Sequence, residues 1–176
     1  SAPHEKALGY FIIPETLSTF FHEESSTFHK YERGQVLGFA SHPSFQGASA
    51  LYTHAAYRTG AGLVRLFFEE GAPFFTTLVS EVTQHPLSEL VSFIEKPKTA
   101  LVLGPGLKPT LKQKEILATL LQKKLPCVLD GGAFEGLSLD LLHPNAILTP
   151  HLEELRRLLK KESASFTELL KESAPL

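Results

Sequence analysis

The chain has 176 residues, enough for one domain that buries about two thirds of its unfolded surface. With 17 Lys and Arg against 19 Asp and Glu the net charge is −2, so a nucleic-acid or membrane-surface role is not expected. No run approaches the roughly 18 apolar residues of a spanning helix, one cysteine excludes a disulfide framework, and the lack of a secretory signal pattern makes the cytoplasm the expected compartment.

Met is absent and the chain begins at Ser1, so the expectation is a processed product or a portion of a longer protein. Residues 1–28 hold one short apolar run, Tyr10-Phe11-Ile12-Ile13, closed by Pro14, then an aromatic and polar stretch over Phe20–Phe28 with no clean period. They read as an N-terminal arm or linker, and residues 29–176 as the domain. Gln35–Ala40 is an apolar strand that ends in the polar loop Ser41-His42-Pro43-Ser44-Phe45-Gln46. A helix over Gly47–Gly60 follows, with Ala48, Leu51, Ala55 and Arg58 near helical spacing and Gly60 as its stop. Leu63–Phe68 is a second strand, so the segment from His29 to Leu66 forms one βαβ unit.

Leu78–Thr83 reads as a third strand, and Leu87–Glu95 as a short helix after Pro86. Thr99–Leu103 is an apolar strand leading into Gly104-Pro105-Gly106. Thr110 and Gln113 form a capping box for a helix whose stripe is Ile116, Leu117, Leu120 and Leu121. Lysines gather over Lys108–Lys124 with Glu115 among them, the pattern of a solvated helix face. Pro126–Leu129 and Ala146–Leu148 are further buried strands, and Cys127 is expected in the core. Thr149 reads as the cap of a helix with Pro150 at its first position and Leu152, Leu155, Leu158 and Leu159 on one face. Ser165 with Glu168 opens a last short helix before Pro175. Apolar strands alternating with helices predict a three-layer α/β/α domain with a mainly parallel central sheet.

In such a sheet the ligand crevice lies outside the carboxyl ends of the strands, and a helix start there suits an anion. Four loops are expected to meet on that edge: Ser41–Gly47, Gly104-Pro105-Gly106, Asp130-Gly131-Gly132 and Thr149-Pro150-His151. Gly106 permits close backbone approach to a flat ring or a phosphate, or serves only the turn. Asp130 orients a hydroxyl, a water or a magnesium ion, or caps the turn after it. His151, in the first turn of a helix, is expected to be held neutral by the local dipole and to suit an amide-bearing ligand, with Glu154 closing that helix start. The other histidines lack metal-ligand spacing. There is no P-loop, no nucleophile elbow and no dinucleotide Gly-x-Gly-x-x-Gly after the first strand.

These residues resemble the ADP/ATP-dependent NAD(P)H-hydrate dehydratases of the ribokinase-like superfamily, across roughly Tyr10 to Leu159. The resemblance is carried by His29-Lys30, Arg33-Gly34, Val36-Leu37 and Gly47-Ala48, then by Arg58-x-Gly60-Ala61-Gly62-Leu63-Val64. Gly104-Pro105-Gly106-Leu107, Asp130 and Ile147-Leu148-Thr149-Pro150-His151-x-x-Glu154 complete it. It implies a ribokinase-like fold and repair of NADH or NADPH that has gained water. In that reaction ATP or ADP, with magnesium, phosphorylates the ring hydroxyl, and phosphate then leaves with a neighbouring proton. It further implies that Gly47 and Ala48 contact the damaged cofactor, Gly106 and His151 lie near its nicotinamide, and Asp130 and Glu154 stand behind them. A homo-oligomer and an epimerase domain, in the same or a separate chain, are also implied.

The chain departs from the family pattern at several points. It has Phe39-Ala40-Ser41 for the usual Gly-Gly-Ser, Gly132 for an Asp, Leu152-Glu153 for Pro-Gly, and Lys108 for a Gly. The family's Lys-Gly strand and Gly-Thr-Gly-Asp motif have no counterpart in the 176 residues, so the catalytic residue stays unassigned. A missing base costs about 10²–10⁴-fold and each lost anion donor roughly 10²–10³-fold, so these residues alone are expected to be a poor catalyst or none. The alternatives are a binding relative without phosphoryl transfer, or a small-molecule kinase on the same fold.

Overall fold

The computed structural model describes residues 13–17, 29–40, 42–69 and 78–173. Most of the N-terminal arm, including Tyr10–Ile12 and Phe20–Phe28, and Ser41 lie outside the described residues. The chain divides into two compact units: residues 29–151, and residues 1–28 together with 152–176. The second unit contains helix α1 (Pro14–Leu17) near its start.

Residues 29–151 carry the sheet. Its strands are β1 (Gln35–Phe39), β2 (Leu63–Phe68), β3 (Thr83–Pro86), β4 (Thr99–Leu103), β5 (Cys127–Leu129) and β6 (Ala146–Leu148). They lie in the order β3-β2-β1-β4-β5-β6, and every neighbouring pair is parallel. The predicted α/β class and parallel sheet are thus present. Helix α2 (Gln46–Arg58) returns from β1 to β2, α3 (Leu90–Ile94) precedes β4, and α4 (Leu111–Gln122) links β4 to β5.

Register and the two-residue alternation of strands assign the side chains to two faces. On one face Leu37, Phe39, Leu101, Leu103, Cys127 and Leu129 pack with Leu90, Ile94, Leu117, Leu120 and Leu121 of α3 and α4. On the other, Val64, Leu66 and Phe68 pack with Val36 and with Tyr52, Ala56 and Tyr57 of α2. Gly38 lies under the Tyr52 ring, which occupies the space that a side chain at 38 would need. α2 ends as expected: Gly60 takes φ +99°, and the N–H of Ala61 donates to the Ala56 carbonyl at 3.0 Å. α4 carries the full Thr110–Gln113 capping box.

Two expectations required correction. The third strand is not Leu78–Thr83 but Thr83–Pro86; a turn precedes it, with Val82 N–H donating to Val79 O at 3.0 Å. Among the described residues β3 is an edge strand paired with β2 alone, where polar residues and a terminal proline are tolerated. Thr149 does not cap a helix beginning at Pro150, because its hydroxyl is engaged elsewhere. Helix α5 spans Leu152–Leu158, which leaves His151 just before it.

In the unit containing 152–176, α5 contacts α6 (Phe166–Ser173). Arg156 Nε donates to the Ala164 carbonyl at 3.2 Å. α6 opens on the predicted box: Ser165 N–H donates to Glu168 Oε2 at 2.8 Å, and Glu168 N–H to Ser165 Oγ at 3.4 Å. The Ser165 N–H and, at 2.8 Å, the Ser165 hydroxyl both donate to the Glu168 carboxylate and hold it below its ordinary range. Leu155, Leu158 and Leu169 are buried, whereas Leu152 is exposed.

Candidate functional site

At the carboxyl edge, hydrogen bonds run from one strand's end into the next loop. Gly104 N–H donates to Phe39 O at 2.9 Å, Asp130 N–H to Leu103 O at 3.0 Å, and Thr149 N–H to Leu129 O at 3.0 Å. Crosslinks tie the loops together: His42 N–H to Gly106 O at 2.8 Å and Gly132 N–H to Gly104 O at 3.1 Å; Leu107 N–H to Gly104 O at 2.9 Å closes the turn between them. Backbone bonds thus join three of the expected loops through His42, Gly104, Gly106 and Gly132, and of the fourth they hold Thr149.

Two glycines make it possible. Gly104 takes φ +101°, with the Asp130 carbonyl and the Ala133 N–H where a side chain would project. Gly106 takes φ +64°, and a Cβ there would lie 2.8 Å from the Ala48 Cβ and 3.2 Å from Phe45 O. The Gly104–Gly106 turn is thus pressed directly against the first turn of α2. That turn has Phe45 as N-cap, without a side-chain cap bond, and no acidic residue. Gly47, next to Ala48, is exposed with open space where its side chain would be. A helix start of this kind, glycine-lined and without a carboxylate, suits an anionic ligand.

Asp130 ends β5 and makes no side-chain cap bond; instead its Oδ1 accepts from the Thr149 hydroxyl at 3.0 Å. The same hydroxyl lies 3.1 Å from Leu129 O. Gly132 faces the Leu107 carbonyl where a Cβ would be, so a carboxylate cannot be fitted there without moving backbone.

The structure thus brings Gly47, Ala48, Gly106 and Asp130 to one edge. His151 is exposed, two residues beyond the Thr149 that bonds Asp130. Glu154 lies in α5, within the other unit.

Sequence reasoning assigned neither Thr149 nor Phe45 to the site, and named Lys108 only as a departure from the family pattern. Thr149 was legible only as a cap, since its bond to Asp130 joins loops 19 residues apart. Phe45 and Lys108 form a cation–π pair, Nζ lying 4.7 Å from the ring centroid, beside Gly106 and Ala48. Cys127 is buried as expected, and burial pushes its thiol up. Burial also pushes the Tyr52 hydroxyl well above its ordinary range. Among the described residues no group of three His, Cys, Asp or Glu is placed to hold a metal ion, and no helix is long and apolar enough to cross a membrane.

Residues 38–174 match the family model described as NAD(P)H-hydrate dehydratase. The chain is 31% identical over 153 residues to the bifunctional NAD(P)H-hydrate repair enzyme Nnr of Escherichia coli, across 82% of this chain and 29% of that protein. It is 30% identical over 157 residues to the ADP-dependent (S)-NAD(P)H-hydrate dehydratase of Lactococcus lactis, across 84% of this chain and 56% of that one. The fold matches the ADP/ATP-dependent NAD(P)H-hydrate dehydratase of Bacillus subtilis, co-crystallized with ATP/Mg2+. There the TM-score is 0.68 at 25% identity, over 92% of this chain and 58% of that one. The chain thus spans less than two thirds of the length of these relatives.

Proposed function

Because the chain belongs to the NAD(P)H-hydrate dehydratase family, we propose that the whole protein restores hydrated NADH or NADPH in an ATP- or ADP-dependent reaction. The ring hydroxyl oxygen takes a phosphoryl group from the nucleotide. The C–O bond then breaks as phosphate leaves, a neighbouring proton is lost, and the ring double bond returns. The observation that supports this reading most is the seam between Gly106 and Ala48 at the carboxyl edge, the edge at which Asp130 also accepts from Thr149.

In this reading the flat backbone of Gly104–Gly106 receives the nicotinamide ring, and the start of α2 at Gly47 and Ala48 receives phosphate. Asp130 keeps Thr149, and with it the chain leading to His151, in place. His151 then meets the carboxamide. Magnesium and the nucleotide phosphates are assigned to no residue, since the described side chains offer no metal-holding group. A homo-oligomeric state and a cytoplasmic location, where nicotinamide nucleotides and ATP are held, complete the reading. An epimerase domain in the same or a separate chain belongs to this reading as well, and the Escherichia coli relative is named as bifunctional.

The test is to mix the complete protein with hydrated NADH and ATP or ADP and follow the absorbance of the reduced ring. Recovery that requires the nucleotide is expected; hydrate that persists with both nucleotides overturns the proposal.

A further inference from the structure

The amino edge of the sheet carries a small pocket that the proposed reaction leaves unused. It lies where β1, β2 and β4 begin, and Tyr31, Gly34, Gln35, Arg65 and Lys96 are among the residues that line it. A chain of hydrogen bonds fixes its polar groups. Thr99 Oγ1 donates to Lys96 O at 2.6 Å, while Gln35 Nε2 donates to Thr99 Oγ1 at 2.7 Å and to Phe93 O at 2.9 Å. With its amide nitrogen so held, Gln35 offers Oε1 to Arg65, whose Nη1 donates to it at 2.8 Å. The Arg65 guanidinium lies over the Phe93 ring, Cζ 4.7 Å from the centroid, and Lys96 Nζ stands 4.4 Å from the same centroid.

Two cations are therefore held against one aromatic ring, and like charges repel. No acidic residue lines the pocket, and among the described residues neither Arg65 nor Lys96 pairs with a carboxylate. Arg65 is partly buried, which disfavours its charged form. Its donors are under-used as well: among the described residues the guanidinium makes one hydrogen bond, to Gln35, and the buried Nε has no partner. An anion answers all of these conditions, because it supplies the opposite charge and accepts hydrogen bonds. The cavity of about 130 Å³ has room for about four waters at roughly 30 Å³ each. That suits one tetrahedral anion and falls below the roughly 300–1,000 Å³ of a pocket for a larger organic ligand.

We propose that this pocket binds a phosphate group, free or carried by a small molecule, between the Arg65 fork and the Lys96 ammonium. Phosphate is favoured over a carboxylate because its oxygens do not lie in one plane. The planar fork takes two of them, and the ammonium, a point charge, takes another. None of Gly47, Ala48, Gly106 and Asp130 lines this pocket, so the inference goes beyond the proposed reaction and does not rest on it.

The experiment titrates inorganic phosphate, and separately glycerol phosphate, into the complete protein and follows the Arg65 Nε–H and Gln35 backbone amide resonances by NMR. Saturable shifts are expected at both groups. Gly47–Ser49 are read separately, because the proposed substrate site also receives phosphate. Tighter binding of inorganic phosphate assigns the pocket to the free ion, and the reverse order assigns it to a phosphate monoester. Arg65→Lys keeps the charge but loses the fork, and should weaken binding read at Gln35 by about tenfold or more. Lys96→Ala changes an exposed residue and should weaken it by about two- to fivefold. No shift at Gln35, an equal shift with sodium chloride at matched ionic strength, or unchanged affinity in either folded variant overturns the proposal. Acetate that binds as tightly as phosphate overturns it in favour of a carboxylate.

Discussion

The two faces of β4, β5 and β6 are made by alternate residues of the same strands, yet they meet different surroundings. Leu101, Leu103, Cys127 and Leu129 lie under α3 and α4, while Val102, Val128 and Ile147 border a groove. Both sets are apolar, so side-chain type alone does not distinguish them. What differs is that α3 and α4 lie across the first set, whereas the second set borders a groove among the described residues of 29–151. A strand sequence records that both of its faces are to be buried, but not by what.

The largest effect expected from this contrast is at Leu129. Leu129→Ala in the 176-residue chain should lower unfolding free energy by about 2–5 kcal/mol, through lost burial and a cavity under α4. Ile147→Ala, one strand away on the open face, should change it by no more than about 0.5 kcal/mol. Denaturant midpoints at matched slopes check the pair, and equal losses would break the contrast between the faces.

Gly104→Ala comes next, at on the order of 1–3 kcal/mol, because it forces a side chain into a left-handed backbone position that faces the Asp130 carbonyl. Gly106→Ala is expected to spread the seam against Ala48 and weaken hydrated NADPH binding by about tenfold or more, since one misplaced contact costs over 1.4 kcal/mol. Calorimetric titration of the complete protein checks this, with a denaturation midpoint showing that the fold persists.

A smaller effect is expected at alkaline pH. Burial on the covered face raises the Cys127 thiol above its unfolded value. Its contribution to stability is therefore full below the unfolded value of about 8.5 and is lost as pH rises through the folded value. Stability should fall over that range in the parent chain, and Cys127→Ala should flatten the fall. An unchanged profile in the variant would remove the thiol from the account.

Much of this fold could be read from the sequence where strands are apolar and bounded by turn residues. Leu63–Phe68, Thr99–Leu103 and Ala146–Leu148 fall where their composition places them. β3 could not be read so, because Thr83-Gln84-His85-Pro86 is a strand only through its pairing with β2. The α5 start was misplaced for a related reason: Thr149 has the chemistry of a cap, but its hydroxyl is drawn to Asp130, a partner invisible along the chain. At the proposed site the glycines were readable as points of close approach. Which atoms approach them, Ala48 at Gly106 and Leu107 O at Gly132, required the fold.

The most direct test of the proposed site is amide hydrogen exchange of the complete protein with and without hydrated NADPH. Slower exchange is expected at Gly47–Ser49 and Gly104–Leu107, on the two sides of the seam. Protection confined to the opposite edge of the sheet, around Gln35 and Arg65, with those segments unchanged, would contradict the account.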